Sequence, residues 1–213
     1  MTDWFPFPLS SVLRALVEHI DLCLIALTIG SVIAFPAGLL LARCKWLADL
    51  SLTALGMLYT VPSLAMLAVL VPVLGLGKGS AIVALVIYAQ FILLRNVLLG
   101  LRSIDPASLE AARGLGLTSW QIFRMLEAPM AMPTWVSGLR NATLSTLSTA
   151  TVAAWINAGG LGALIFEGLS QNNPSKILVG AVLISGLALL FDFLLRTVEQ
   201  ESAQIAKGLA PEF

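Results

Sequence analysis

The chain has 213 residues, 58% of them hydrophobic and 11% charged, and its formal net charge at pH 7 is zero. Soluble domains usually carry about 25% charged residues, so this deficit points to a membrane protein, and the apolar spans described below predict the all-α integral membrane class. Acidic and basic residues balance and no basic cluster occurs, so the composition does not favour nucleic-acid binding. Cys23 and Cys44 lie about 30 Å apart if one helix joins them, which is too far for a disulfide bond.

Residues 1–20 are predicted to form an external amphipathic lead-in to the first membrane span. Trp4, Phe5 and Phe7 are typical of side chains that anchor a chain at the membrane interface. The segment has no basic start, which argues against a signal peptide. His19, the single histidine of the chain, is interpreted as an interfacial polar group and not as a metal ligand or a general base.

Residues 21–198 are predicted to be the transmembrane domain, because about 20 consecutive apolar residues cross a bilayer. Five stretches are long enough, namely residues 22–42, 50–77, 79–101, 129–156 and 177–195. Prolines are expected to break the second of them. Residues 199–213 are predicted to be a solvated cytoplasmic tail. With the longest polar loop in the cytoplasm, most lysines and arginines lie inside, which agrees with the positive-inside rule and places the amino terminus outside.

Residues 104–128 form the longest polar interruption of this apolar sequence, and helix-capping signals mark both of its halves. Asp105 followed by Pro106 is typical of a helix start. Thr118 with Gln121 three residues later is typical of a capping box. We therefore expect two short helices, joined by a glycine turn, that lie outside the membrane against a partner.

The middle of this loop resembles the EAA loop of ABC-importer membrane subunits. The likeness rests on Glu110, Ala111, Ala112 and Gly116, followed by Leu126 and Pro129. Ala128 departs from the family pattern, which usually has leucine before the proline. In that family the loop is a coupling helix that docks in a groove of the cytoplasmic ATPase. Gly114 or Gly116 can take the left-handed conformation that ends a helix. The resemblance implies that coupling depends on Glu110, Ala111, Ala112, Arg113, Gly114 and Gly116.

Other stretches resemble the branch of these importers that takes up osmoprotectant quaternary amines, such as glycine betaine, choline and carnitine. They are residues 60–65, Tyr88 with Arg95 and Asn96, and residues 158–166. Ile92 stands where that branch usually has a proline. The resemblance implies a type I permease fold with a second permease subunit, identical or homologous. It also implies an external substrate-binding protein and a dimer of cytoplasmic ABC ATPases that holds the ATP and magnesium. No cofactor is expected on this chain.

Polar residues within two predicted spans are candidates for a translocation path. Pro62 cannot donate a backbone hydrogen bond, so it frees a carbonyl inside the membrane, either at a cavity or at a kink that neighbouring helices satisfy. Small polar side chains in the fourth span favour a hydrated path or close helix packing, and the sequence leaves both interpretations open. In the first interpretation Thr143, Thr146 and Thr149, at three-residue spacing, face one passage. The candidates are Tyr59, Thr60, Pro62 and Ser63 in the second span, and Asn141, Thr143, Thr146 and Thr149 in the fourth.

Two further features of the apolar segments are a glycine-rich stretch and a charged residue inside a span. Residues 157–162 contain three glycines, which predict a tight turn with close backbone approach, either an external gate element or a plain loop. Arg140 lies inside the fourth span, where a charged side chain reaches the interface or pairs with an acid. Asp192 in the fifth span is a candidate partner for it.

Other classes of function are less well supported by the residues. The sequence has no phosphate-cradling glycine loop, no metal-ligand cluster and no nucleophile with a histidine base, so we do not expect an enzyme. A permease for another small solute, such as methionine, is an alternative within the same class. An ion channel or a membrane-anchored adaptor is the rival from a different class, although no ring of carbonyls or charges typical of a filter is recognisable.

Overall fold

The computed structural model describes residues 8–209, and this part of the chain is built from α-helices with one π-helical and one 3₁₀ turn and no strand. The predicted all-α membrane fold class is confirmed. The predicted interfacial anchors Trp4, Phe5 and Phe7 lie outside the described residues. The helices are α1 (Leu9–Leu41), α2 (Lys45–Thr60), α3 (Ser63–Leu74), α4 (Lys78–Arg102), α5 (Pro106–Gly114), α6 (Ser119–Ile122), α7 (Ala128–Ala153), α8 (Leu161–Ser170) and α9 (Pro174–Leu209).

Helix length and hydropathy agree with the predicted number of spans. Among the described residues, α1, α4 and α9 are each long and apolar enough to cross a membrane. Two bent pairs bring the number to five if each pair is one span. The first pair is α2 with α3, bent by 95°, and the second joins the segment Ser119–Ile156 to α8 at 51°.

The break between α2 and α3 falls at the predicted proline. Pro62 has no backbone N–H, so helical hydrogen bonding cannot continue through it, and the chain turns at Val61. The carbonyl of Val61 accepts a hydrogen bond from the Tyr88 hydroxyl of α4 at 2.5 Å. A hydroxyl from a neighbouring helix therefore binds a backbone carbonyl at the break between the two helices.

Helix α4 lies at the centre of the bundle, where it packs along α1 and α7. The largest fully buried side chains include Leu22 of α1, Leu85 of α4 and Leu147 of α7. Gln90 of α4 donates its side-chain amide to the Gly30 carbonyl of α1 at 3.0 Å. The third span is thus held on both sides, and α2, α3, α8 and α9 pack around this centre.

Arg140 joins α7 to α9 through two carboxylates. Its Nε lies 3.1 Å from Asp192 Oδ1, which confirms the predicted partner, and its Nη1 donates to Glu199 Oε2 at 2.7 Å. All three side chains are only about a quarter to a third exposed. The sequence did not predict the second carboxylate, because the fifth span was expected to end near residue 195.

The segment expected to be a solvated tail is helical over the residues that the structure describes. Helix α9 continues to Leu209, so no break occurs at residue 198. Glu199 binds Arg140 and Ser202 is buried, which gives this extension a packed face. At the other end of the chain, α1 runs from Leu9 without interruption, so the lead-in and the first span are one helix.

Candidate functional site

The polar loop begins with the predicted cap. The Asp105 carboxylate accepts the backbone N–H of Ala107 at 3.2 Å, and Pro106 occupies the first position of α5. A proline there costs no hydrogen bond, because the first N–H groups of a helix have no helical partner. The short helix is therefore fixed at its start by local chemistry alone.

The glycine turn has the geometry of a Schellman motif. Gly116 has φ +80°, its N–H donates to the Arg113 carbonyl at 2.9 Å, and the Leu117 N–H donates to the Ala112 carbonyl at 3.3 Å. Gly114 is only the last residue of α5, so Gly116 is the residue that ends the helix. A Cβ at Gly116 would meet nothing within 4 Å, so backbone conformation is the reason for glycine at this position.

The second half of the loop begins with the predicted capping box. The Thr118 N–H donates to Gln121 Oε1 at 2.8 Å, and the Gln121 N–H donates to Thr118 Oγ1 at 3.4 Å. The second short helix is not separate, however. Helix α6 continues through a π-helical turn, Phe123–Glu127, directly into α7.

The π-helical turn has a physical cause in Pro129. A proline ring clashes with the carbonyl four residues earlier, here that of Met125, and it has no N–H to donate. The wider turn relieves this conflict, and the Ala128 N–H donates to the carbonyl of Phe123, five residues back. We call the continuous helical segment from Ser119 to Ala153 the coupling rod. It joins the loop to the fourth span without a break.

The predicted coupling residues lie mainly on the surface. Ala112 is buried, and the others are exposed: Glu110, Ala111, Arg113, Gly114 and Gly116. Sequence reasoning missed an apolar surface beside them, made by Leu115, Trp120 and Met125, which are 81%, 67% and 60% exposed. Trp120 stacks on Phe123 with ring centroids 5.7 Å apart. Large apolar residues inside an otherwise polar loop were the available signal.

The second-span candidates lie together at the α2–α3 break. Tyr59 is 36% exposed, and its ring lies 5.9 Å from that of Tyr88 and 5.1 Å from that of Phe91. The Thr60 hydroxyl donates to a carbonyl of its own helix at 2.7 Å. Thr60 and Pro62 are exposed and Ser63 is half-buried. This cluster is accessible on the surface of the single chain.

The fourth-span threonines do not share one open surface in the single chain. Thr143 and Thr146 are buried, at 5% and 3% exposure, and the hydroxyls of Thr143 and Thr149 each donate to their own helix at 2.8 Å. Three-residue spacing rotates each side chain by about 60° from the last, so the three diverge around the helix. A role for them in a path stays a prediction.

A different row of polar side chains on α7, which we call the polar stripe, is accessible in the single chain. Asn141 and Ser148 are exposed and Ser145 is half-buried between them, at spacings of four and three residues that keep side chains on one face. Sequence reasoning committed only to Asn141 of these three. The helical period was the signal that would have grouped them.

Metal-binding chemistry is not evident in the described residues. They contain no group of three or more His, Cys, Asp or Glu side chains placed to hold a metal ion. Cys23 is buried and Cys44 is exposed, and both thiols are free.

The fold and the loop define a class of protein. Several membrane-crossing helices carry one polar loop that is capped at both helix starts and presents exposed apolar side chains, an arrangement suited to docking on a soluble partner. The family model "Binding-protein-dependent transport system inner membrane component" matches residues 30–203, so the chain belongs to this family. Membership implies a multi-pass membrane subunit that works with an ATPase and a substrate-binding protein.

Relatives cover most of the chain. The glycine betaine/carnitine/choline transport system permease protein OpuCB of Bacillus subtilis (strain 168) is 39% identical over 86% of this chain and 85% of that protein. The carnitine transport permease protein OpuCB of Listeria monocytogenes is 40% identical over 85% of this chain and 84% of that protein.

A solved structure confirms the predicted type I permease fold. An inward-facing MetNI methionine ABC transporter matches with a TM-score of 0.81, over 91% of this chain and 97% of that chain. The identity is 22%, so this likeness concerns the fold alone.

Gly116→Val is expected to disrupt the glycine turn. A β-branched residue in the left-handed conformation costs about 1–2 kcal/mol, so the turn should open. Hydrogen exchange of residues 106–122 should speed up several-fold, and less ATPase should co-purify with the membrane subunit. Gly114→Ala is the matched control, since that position has no positive φ and a Cβ there meets nothing within 4 Å. Equal exchange and equal ATPase recovery in the two variants would contradict the assigned turn.

Proposed function

We propose that this chain is the permease subunit of an ATP-driven importer of osmoprotectant quaternary amines such as glycine betaine, choline or carnitine. The observation that carries this proposal is the pair of relatives at 39–40% identity, both named as permeases for these compounds and both covered over more than four fifths of their length. The methionine transporter is similar in fold at 22% identity, so it does not favour methionine as the substrate. Family membership argues against the channel and adaptor alternatives.

The proposed assembly contains two permease subunits, identical or homologous, with a dimer of cytoplasmic ABC ATPases and an external substrate-binding protein. ATP and magnesium belong to the ATPases, and this chain is the non-catalytic path. The polar stripe of α7 supports a path completed by a second subunit, because Asn141 and Ser148 are uncovered in the single chain. The loop side of the bundle is cytoplasmic in this proposal, with the amino terminus outside.

The coupling rod gives this assembly a mechanical connection. A docked ATPase that moves the loop moves α6, and the rod stays helical from Ser119 to Ala153, with no turn or loop through which that motion would be lost. The exposed loop residues Leu115, Trp120 and Met125 are suited to anchor the contact. Aromatic side chains that become desolvated at the centre of an interface usually contribute most to binding.

The path chemistry fits a quaternary ammonium ion. Such a cation cannot donate a hydrogen bond, so weak and broad contacts suit its passage. The Tyr59 ring is the accessible aromatic face at the α2–α3 break, and cation–π contacts contribute about 0.5–2 kcal/mol. Hydroxyl and amide groups on the open stripe of α7 can solvate the carboxylate of a betaine.

Uptake by the complete importer tests the substrate assignment. The permease is reconstituted in vesicles with its ATPase and binding protein, and uptake of labelled glycine betaine, choline, carnitine and methionine is compared. ATP-dependent uptake of at least one quaternary amine, without methionine uptake, is the expected result. Uptake of methionine alone would overturn the proposed substrate.

Trp120→Ala is expected to weaken the contact with the ATPase. Loss of a central aromatic anchor costs about 2 kcal/mol or more, so the ATPase should bind about 30-fold more weakly. Binding of the purified ATPase to the permease in nanodiscs measures this effect. Trp155→Ala is the matched control, because Trp155 is equally exposed, at 65%, but lies beyond the other end of the coupling rod. Similar losses in both variants would show that Trp120 is not an anchor.

Tyr59→Ala is expected to slow transport about 2- to 30-fold, which corresponds to the loss of one cation–π contact. The affinity of the isolated binding protein should not change. Tyr59→Phe keeps the aromatic face and should transport nearly as fast as the parent. Uptake into vesicles measures both variants, and normal uptake by Tyr59→Ala would place the path elsewhere.

A further inference from the structure

The turn between α7 and α8 lies at the end of the coupling rod opposite the loop. Asn157, Gly159 and Gly160 all have positive φ, at 61°, 81° and 80°. Glycine adopts this conformation without cost, and Asn tolerates it better than most other residues. Residues of α1 pack against this turn.

Glu18 of α1 binds the backbone of the turn. Its Oε2 accepts the Gly160 N–H at 3.2 Å, and its Oε1 accepts the Arg14 guanidinium at 3.0 Å. Gly160 immediately precedes α8, whose first N–H groups have no helical partners and favour a negative charge. The carboxylate therefore serves as a cap for α8 supplied by a helix far away in the sequence.

His19 packs beneath the same turn. The side chain is fully buried, and Nε2 lies 3.2 Å from the Leu147 carbonyl of α7. The other ring nitrogen, Nδ1, has no hydrogen-bond partner, and a Cβ at Gly160 would lie 3.0 Å from it. Glycine is required here because α1 approaches too closely for a side chain.

Because His19 Nδ1 has no hydrogen-bond partner, this contact differs from a helix contact in which every buried polar atom is paired. A buried polar atom without a partner costs about 1–3 kcal/mol. Movement of the turn away from α1 would open Nδ1 to water or to a backbone N–H. Separation would thus relieve the cost of the unpaired nitrogen, and the Glu18 hydrogen bond opposes separation.

The turn also meets the connection between α3 and α4. A Cβ at Gly77, another residue with positive φ, would lie 4.0 Å from the Asn157 carbonyl. Gly77 immediately precedes α4. The two glycine turns at this end of the bundle are therefore adjacent, one after the broken second span and one after the coupling rod.

We propose that Glu18 and His19 are positioning residues that form a latch, which holds the α7–α8 turn against α1 in one state and must release it during each transport cycle. The need for release rests on the proposed transport function. The latch itself rests on the contacts described above.

A reversible covalent lock tests the latch. A Cβ at Gly159 would lie 3.9 Å from the Cβ of Glu18, which is within the range of about 3.5–4.5 Å that a disulfide bond needs. The pair Glu18→Cys and Gly159→Cys is made in a Cys44→Ser background, because Cys44 is exposed. Vesicles with the complete importer are assayed after oxidation and again after reduction.

The oxidised pair should lose at least 10-fold in uptake and recover on reduction, while Glu18→Cys alone should not respond to the oxidant. Equal uptake by the oxidised and reduced pair would overturn the latch, since the contact would then be static.

Because a cysteine at position 159 must adopt positive φ, Glu18→Ala gives a second test. The importer that carries this variant should hydrolyse ATP several-fold faster in the absence of substrate. Arg14→Ala is the control, because it leaves the Glu18–Gly160 hydrogen bond in place. Unchanged activity in Glu18→Ala would also count against the latch.

A third measurement separates the latch from the substrate assignment. Ala158→Cys, a fully buried position in the turn that leaves Glu18 in place, is made in the Cys44→Ser background and treated with a membrane-impermeant thiol reagent, with and without ATP. ATP should increase the labelling rate several-fold, whichever solute is transported. If the parent importer takes up no quaternary amine but labelling still responds to ATP, the proposed substrate fails and the latch stands. Labelling that does not respond to ATP in an importer that transports would overturn the latch.

Discussion

Every backbone N–H and C=O group inside a bilayer needs a hydrogen-bond partner from the protein, and this constraint explains how the helices of this chain end and bend. Pro62 breaks the second span, and the Tyr88 hydroxyl binds the carbonyl beside the break. Pro129 would interrupt the fourth span, and a π-helical turn keeps the helix continuous instead. The two prolines therefore have opposite outcomes: the helix breaks at Pro62, whereas a wider turn accommodates Pro129.

Because the coupling rod is continuous, it connects the polar loop at one end of the molecule with the α7–α8 turn at the other. One end carries the glycine turn at Gly116 and the exposed Trp120, where a soluble partner can dock. The other end reaches the turn at Gly160, which Glu18 holds against α1. Between them, Arg140 ties the rod to α9 through two carboxylates. A displacement of the loop is therefore expected to displace the α7–α8 turn as well. The contacts of the rod and the turn with α1 and α9 resist this movement.

Local chemistry was predictable from the sequence, and features that depend on three-dimensional packing were not. The caps at Asp105 and Thr118 involve neighbours within three residues, so their patterns sufficed. The Arg140–Asp192 pair followed from the cost of an isolated charge in a membrane. The contacts of Glu199 and His19 gave no such signal, because Glu199 lies beyond the expected end of the fifth span and His19 was interpreted as an interfacial group. The expectation that Thr143, Thr146 and Thr149 face one passage had weaker support, because three-residue spacing is not the period of an α-helix.

The rigidity of the coupling rod is the central physical claim, and a distance along it is the most direct test. Spin labels at Ser119→Cys and Ser148→Cys, both exposed positions, would lie about 44 Å apart along an unbroken helix. Pulsed electron-resonance distances are compared for the complete importer in nanodiscs with and without ATP. This distance should be unchanged between the two states, while the distance between labels on α1 and on the α7–α8 turn should change. A shift of several ångströms between Ser119 and Ser148 would show that the π-helical turn is a hinge and would contradict the account.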